Sequence, residues 1–378
     1  MSLVKRKLRT YMKVSIFTFW REENYGAILQ ATALQDACTK LGADVNLIAF
    51  DITHERRPLP RRLLSALWLK IRRILGFRKR QQRSQAFRKK WIKSSPLLKN
   101  EEDLLEYLSS REICIVGSDQ VWNPQIVPPN SNPFFLENVT SKKIAYAASF
   151  GIQELGNALN DIYSRKIQNF HMISTRERTG LSILKSLGIS SAELVLDPTF
   201  LLSKKEWEKK SSKRIKKADY ILCYIMPGKK EVREIYEIAQ FISSFLKIPK
   251  IIYLGDREYT RFLYSGARVD AGPSEFLRYF LDATYVVTNS FHGTCFSVNF
   301  QKNFFSIIDS SSKSENRNSR IIDLLTLLGL DNRLIRGNPD FEKLKITAGE
   351  NVDYKKIEKI LIDFRKKSLN FLTSALTQ

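Results

Sequence analysis

Short apolar runs alternate with stretches of helical periodicity along most of this chain. Lys13 to Phe19 reads as a strand, and Trp20 to Gly26 is a polar loop. From Ala27 to Leu41 the positions Leu29, Ala33, Leu34 and Ala37 recur at helical spacing, and Gly42 ends the run. Val45 to Phe50 is the next strand. A β-α-β opening predicts a parallel sheet, because parallel neighbours need a crossover.

The same alternation resumes after residue 100. Helices are predicted at Glu101–Leu108, Asp161–Phe170 and Arg178–Leu187. Strands are predicted at Ile113–Val116, Ile144–Ala148, Met172–Thr175 and Leu194–Leu196. Lys204 to Lys217 is rich in Lys, Glu and Ser, poor in aliphatics, and reads as a partly helical linker. A second alternation follows, with strands near Tyr220–Tyr224, Ile251–Leu254, Tyr285–Val287 and Phe304–Ile307. Its helices are Glu231–Leu246, Ser274–Leu281, Ile321–Leu328 and Tyr354–Leu372. The expectation is α/β: an N-terminal Rossmann-like domain over 12–203, a linker over 204–217, and a C-terminal Rossmann-like domain over 218–345. A C-terminal helix over 346–378 would pack back on the first domain. Two such domains with a cleft between them resemble the GT-B-like arrangement of glycosyltransferases.

Charge adds one feature to this pattern. The net charge is +23, and residues Arg56 to Lys93 hold fifteen Lys/Arg and no Asp/Glu. Within this basic insertion, Leu64, Leu67, Trp68, Ile71 and Leu75 fall on one helical face, and a polar basic helix follows to about Lys93, where Ser95-Pro96 breaks it. An apolar face flanked by arginines is the pattern of a helix lying on an anionic membrane surface. The segment has few aromatics for stacking bases, so nucleic acid is not the expected partner. No apolar run is long enough to span a bilayer, and the basic leading residues lack the apolar stretch of a signal peptide. The four cysteines, Cys38, Cys114, Cys223 and Cys295, are too scattered for a zinc site or a disulfide framework. The expected location is the cytoplasm, with peripheral contact at the inner face of its membrane.

Candidate chemistry gathers at strand ends, where ligands bind in open α/β sheets. His292, one of only three histidines, follows the strand Tyr285–Val287, with Ser290, Gly293 and Thr294 around it at a helix start suited to an anion. After the first strand, Asn24, Tyr25 and Gly26 form a second strand-to-helix turn. Gly117-Ser118-Asp119-Gln120-Val121-Trp122-Asn123 offers a carboxylate, two amides and an indole, which suits a sugar. Asp119 is the candidate base for a sugar hydroxyl. Arg176 sits just past a strand end, where its two-pronged donor set would hold a carboxylate or phosphate. Ser310 to Arg320 is read as a polar loop whose Lys313, Arg317 and Arg320 would clamp phosphate. There is no Walker loop, Gly-x-Gly-x-x-Gly, His-Glu-x-x-His or Asp-x-Asp, which argues against a kinase, a dehydrogenase, a zinc hydrolase and metal-dependent chemistry.

Several motifs taken together resemble the polysaccharide pyruvyl transferase family. They are Asn24-Tyr-Gly-Ala-Ile-Leu-Gln-Ala-Thr-Ala-Leu-Gln35, Val116-Gly-Ser-Asp-Gln-Val-Trp-Asn123, Ser174-Thr-Arg-Glu177, Asp197-Pro-Thr-Phe-Leu-Leu202 and Thr288-Asn-Ser-Phe-His-Gly-Thr294. Their order also matches, over roughly Val14 to Leu330. The resemblance implies two Rossmann-like domains and transfer of pyruvate from phosphoenolpyruvate to a sugar of a surface glycan, giving a cyclic ketal. It implies a catalytic histidine at His292 and a donor-holding arginine at Arg176. Two departures stand out. Ser290-Phe291-His292 replaces the Arg-Leu-His of better-studied members, and Gly117-Ser-Asp-Gln replaces their glycine-rich strand end. Lys313, Arg317 and Arg320 are the candidates to replace the missing arginine, unless the donor itself differs.

The sequence reading is therefore a pyruvyl transferase, with His292 as acid and Asp119 as base. Donor contacts come from Arg176, Ser290, Gly293, Thr294, Lys313, Arg317 and Arg320. Acceptor contacts come from Asn24, Tyr25, Gly26, Gln120, Trp122 and Asn123. Phosphoenolpyruvate is the co-substrate, the acceptor is a lipid-linked or nucleotide-linked sugar, and no metal or cofactor is assigned. The alternatives are a GT-B-type glycosyltransferase using a nucleotide sugar and a non-enzymatic nucleic-acid-binding protein.

Overall fold

A computed structural model describes residues 12–51, 78–214, 219–226, 231–255, 267–268, 270–308 and 312–377. The first sheet contains β1 (Lys13–Phe17), β2 (Asp44–Phe50), β3 (Ser94–Leu98), β4 (Ile113–Val116), β5 (Lys142–Ala145), β6 (Met172–Thr175) and β7 (Glu193–Leu194), ordered β3-β2-β1-β4-β5-β6-β7. The second contains β8 (Ile221–Ile225), β9 (Ile251–Gly255), β10 (Ala267–Arg268), β11 (Tyr285–Thr288), β12 (Asn303–Ile308) and β13 (Leu334–Arg336), ordered β10-β9-β8-β11-β12-β13. All the pairings are parallel. Strands buried on both faces explain the continuous apolar runs: Ile113–Val116 and Ile221–Ile225 are buried at every position.

The two domains share one apolar layer. Tyr25 stacks on Phe276 at 4.8 Å, and Trp207 meets Phe296 edge-on at 5.2 Å. Both pairs join residues of one continuous core cluster that spans the two sheets. The C-terminal helix Tyr354–Thr377 crosses between the domains. Its Tyr354 hydroxyl donates to the Lys302 carbonyl of the second. Further along, Ser368 Oγ accepts the Leu196 amide and Phe371 packs near Tyr146 in the first.

Three local expectations are sharpened or corrected by what is found. The basic helix ends at Trp91, ahead of Ser95-Pro96 as expected, and Ser95-Pro96 itself lies in β3, an edge strand, where the missing proline donor is tolerated. The segment read as a partly helical linker begins with a helix, Lys204–Lys210, closed by a Ser203–Glu206 capping box. Its one large apolar side chain, Trp207, is fully buried and donates Nε1–H to the Thr199 carbonyl. The polar stretch read as a loop is helical from Ser312, within the helix Ser312–Leu328. Its apolar stripe starts only near Ile321, and Asn318 and Ser319 take buried positions ahead of it.

Only the second half of the basic insertion is described, and there it packs on the rest of the protein. Residues 52–77, with the predicted Leu64–Leu75 apolar face, lie outside the described residues. The helix Arg78–Trp91 clasps both domains. Arg88 gathers the carbonyls of Trp20, Arg21 and Glu22 and pairs with the Glu23 carboxylate. Arg80 donates to the Glu23 carbonyl, and Arg83 pairs with Asp270 and Glu275.

Candidate functional site

Strand order reverses between β1 and β4 in the first sheet and between β8 and β11 in the second. These are the two points where a crevice opens at the carboxyl ends of the strands. They face each other, and a cavity of about 450 Å³ lies between them. Asn24, after β1, caps the helix Tyr25–Lys40 by accepting the Ala27 amide. Asp119 follows β4. Met226, after β8, donates its amide to Asn289 Oδ1, after β11. Asn24, Asp119, Gln120, Asn123, Ser290, His292 and Arg320 all line this cavity.

His292 is placed by two helix starts. Ser290 caps the helix Phe291–Asn299 by accepting the Gly293 amide, which puts His292 in its first turn. Gly26, in the first turn of the opposite helix, lies against the imidazole, and a β-carbon there would be 2.1 Å from Nδ1. His292 is buried, and Nε2 has no hydrogen-bond partner; it lies 3.8 Å from Asp197 Oδ2. Burial pushes the imidazole below its ordinary pKa, against the opposing pull of Asp197 and Asp119.

Behind this ring sits a buried ionic knot. The Arg176 guanidinium is wholly enclosed. It donates Nη1–H to Asp197 Oδ2 at 2.6 Å and to Ser118 Oγ at 3.1 Å, and Nη2–H to Asp119 Oδ1 at 3.0 Å. One face stacks on Phe291 at 4.5 Å. Asp197 is fixed further by the Thr199 amide and hydroxyl on Oδ1. Burial alone would raise both aspartates, but the Arg176 charge, aided by His292, holds them below the usual carboxylate range. Glu177, buried with Oε1 accepting the Phe150 amide, is raised by burial despite Arg176.

These contacts correct several sequence assignments. Arg176, expected on the donor, spends Nη1 and Nη2 on Asp197, Ser118 and Asp119, is wholly enclosed and does not line the cavity, and its Nε has no hydrogen-bond partner. The Gly293 amide is used by Ser290, and the Thr294 hydroxyl is shared between the Ser290 carbonyl and Ser306. Both residues therefore support the helix start without facing a ligand. Trp122 is fully buried among Phe135, Phe150 and Phe170 and cannot stack on a sugar. Tyr25 is an inter-domain strut, with its hydroxyl on the Ala271 carbonyl, Phe276 on one side and the Arg80 guanidinium 4.6 Å over its ring. Gly26 contributes space for the imidazole and has no side chain for an acceptor. Lys313 and Arg317 stand on the helix from Ser312, and their side chains lie outside the described residues.

Arg320 is different. Its guanidinium lies 5.4 Å from the centre of the Phe291 ring, the residue lines the cavity, and Nε has no hydrogen-bond partner. Burial and the nearby Arg176 lower its pKa to about 10, so it stays protonated at neutral pH. Asp197, by contrast, received no role from the sequence, although it stands just past a strand end, the position that singled out Asp119. Among the described residues no cluster of His, Cys, Asp and Glu could hold a metal ion.

Two solved structures share this architecture. The UDP-N-acetylglucosamine 2-epimerase of Rickettsia bellii is 12% identical, with a TM-score of 0.52 and 97% of each chain covered. The UDP-GlcNAc 2-epimerase of Methanocaldococcus jannaschii is 13% identical, with a TM-score of 0.50, 90% of this chain and 93% of that one covered. Identity this low speaks for the fold alone, which is α/β with two Rossmann-like domains in a GT-B-like arrangement around a cleft. No curated protein matches the chain. A family model, polysaccharide pyruvyl transferase, matches residues 24–311, which include Asn24, Asp119, Arg176, Asp197 and His292. The chain, a transferase, belongs to the polysaccharide pyruvyl transferase family.

Proposed function

We propose that this cleft transfers pyruvate from phosphoenolpyruvate to a sugar of a cell-surface polysaccharide precursor, closing a pyruvyl ketal. The observation that carries the reading is the convergence of His292, Asp119 and Arg320 on one cavity. Phosphoenolpyruvate needs a cation for its carboxylate or phosphate and an acid for its enol carbon. Arg320 supplies the first, in place of the arginine absent at Ser290, and His292 the second. Protonation of the methylene carbon makes carbon 2 electrophilic. One sugar hydroxyl attacks there, with Asp119 taking its proton. Phosphate then leaves, and the second hydroxyl closes the ring. Of the two hydroxyl protons displaced, one is balanced by the new methyl group and the other by the departing phosphate. Gln120, Asn123 and Asn24 face the same space and suit sugar hydroxyls.

An anionic donor also answers the low proton affinity of the buried imidazole. Its charge beside His292 raises the imidazole pKa at the moment an acid is needed. The acceptor is read as a lipid-linked or nucleotide-linked sugar. Among the described residues no helix is long and apolar enough to cross a membrane. Contact with an anionic membrane surface through Arg56–Lys93 is part of the proposal, and would hold the enzyme at the inner face of the cytoplasmic membrane. The deciding experiment incubates the protein with phosphoenolpyruvate or with UDP-sugars, each with candidate acceptors, and follows inorganic phosphate and nucleotide. Phosphate release with a ketal on the acceptor supports the proposal. Nucleotide release instead would make the protein a glycosyltransferase.

A further inference from the structure

The unpartnered Nε2 of His292 points at a buried carboxylate. Asp197 Oδ2 is 3.8 Å away, and its position is over-determined: Thr199 pins the other oxygen from two donors, while Arg176 and Ser118 hold Oδ2 itself. In the neutral imidazole one nitrogen carries the proton. A bare Nε2 would aim its lone pair at an anionic oxygen in a low-dielectric site. A protonated Nε2 would be attracted to it. The gap exceeds a hydrogen bond, but such contacts are often long in the empty site and tighten when substrate is present. The opposite nitrogen, Nδ1, lies beside Gly26, on the side of the first domain. The other charges facing the ring are Asp119, Arg176 and Arg320. Two of these belong to the same knot, since Arg176 ties Asp119 to Asp197.

We propose that Asp197 is the positioning residue of a carboxylate–imidazole pair: it holds Nε2–H of His292, and so makes Nδ1 the nitrogen that exchanges a proton with the substrate. This rests on the pyruvyl-transfer reading of the cleft. In the imidazolium both nitrogens carry protons. Nε2–H stays with Asp197, which is not itself protonated, and Nδ1–H goes to the methylene carbon of the enol. The pair is then restored to neutral imidazole with its proton on Nε2, and the next turnover begins when Nδ1 is reprotonated. Arg176 has a defined part in this arrangement. Through one guanidinium it fixes the spacing between the carboxylate facing the acceptor and the carboxylate facing the histidine, across the domain boundary.

The test separates the pair from the reaction. In wild-type protein, nitrogen-15 NMR of the histidines, with His292 identified by the signal lost in His292→Asn, should show neutral His292 protonated on Nε2. A proton on Nδ1 would overturn the proposal whether or not the donor is right. In Asp197→Asn, the titration midpoint of His292 should move to lower pH, because the attracting charge is gone. Its kcat should fall about 10²-fold with the KM for phosphoenolpyruvate nearly unchanged. An unmoved midpoint also overturns it. Should Asp197→Asn fail to fold with Arg176 left short of a partner, Thr199→Val keeps the charge and removes only the hydroxyl bond to Oδ1, leaving the amide bond in place. It should lower kcat in the same direction by a smaller factor, and an unchanged kcat counts against the pair. Wild-type protein that shows the expected proton position and midpoint, but releases no phosphate from phosphoenolpyruvate, refutes the donor and leaves the pair standing.

Discussion

Gly26 and His292 occupy one space: the imidazole lies where a β-carbon on Gly26 would have to go, 2.1 Å from Nδ1. The backbone at Gly26 is not left-handed, so the glycine is required by the neighbour and not by its own dihedral angles. Alanine would help the helix Tyr25–Lys40 by intrinsic propensity. The clash outweighs that gain, because overpacking a tight contact costs about 1–3 kcal/mol. Gly26→Ala should therefore lower the melting temperature modestly and remove most turnover by displacing the imidazole. Gly42→Ala is the control. Gly42 has φ +93° and nothing within 4 Å of a built β-carbon, so its alanine variant should lose stability through backbone strain while kcat is retained. Equal kcat in the two variants would show that Gly26 does not set the histidine's position.

Arg176→Lys should act on stability and kcat, with little change in the KM for phosphoenolpyruvate. A lysine keeps the charge but cannot bridge Asp119, Asp197 and Ser118 at once. Leaving a buried carboxylate without its partner costs about 3–5 kcal/mol, so the lysine variant should lose a sizeable part of that. Thermal unfolding measures the loss, and steady-state kinetics divides kcat from KM. A variant with wild-type stability and a raised donor KM alone would restore Arg176 to the donor site.

The contrast between Arg176 and His292 shows which part of the site a sequence carries. Strand ends are legible, because a strand buried on both faces gives an apolar run and the next polar residues must face the crevice. Asp119 and His292 follow from that. What the strand-end rule cannot reveal is the partner brought in from elsewhere. Asp119 and Asp197 converge on Arg176 only when β4, β6 and the segment after β7 lie side by side. Trp122 fails for a related reason. An indole suits a sugar face and an aromatic core equally, and only the packing of Phe135, Phe150 and Phe170 decides. The helix from Ser312 was hidden because buried Asn318 and Ser319 interrupt the apolar stripe that marks a helix.

Arg320→Gln should weaken the donor while leaving the fold intact. The guanidinium makes no salt bridge within 4 Å among the described residues, and Asp119 and Glu177, which feel its charge, keep Arg176 as their nearer cation. A hydrogen bond to a charged group contributes about 1.5–3 kcal/mol, which corresponds to roughly a 10- to 150-fold rise in Kd for phosphoenolpyruvate. Calorimetric titration of the donor checks this, with thermal unfolding of the empty protein as the companion measurement. If donor affinity is untouched, the anion is held elsewhere, and Lys313 and Arg317 become the residues to replace.

The basic insertion should bind anionic vesicles, but through fewer charges than its composition suggests. Arg80, Arg83 and Arg88 are turned inward to Glu23, Asp270 and Glu275, and removing them would disturb the cleft wall. Lys89 and Lys90 are exposed on the same helix and carry no ion pair among the described residues. A basic residue near an anionic leaflet contributes about 1 kcal/mol, so replacing both by alanine should weaken vesicle binding roughly thirtyfold. Turnover of a soluble acceptor should be unchanged, since neither side chain lines the cavity. Co-sedimentation with anionic and neutral vesicles at low salt reads the effect. Rising salt should release the protein from the anionic vesicles, because exposed charges are screened within about 10 Å at 0.1 M. Equal and negligible binding of the wild type to both vesicle types would rule out membrane contact by this segment.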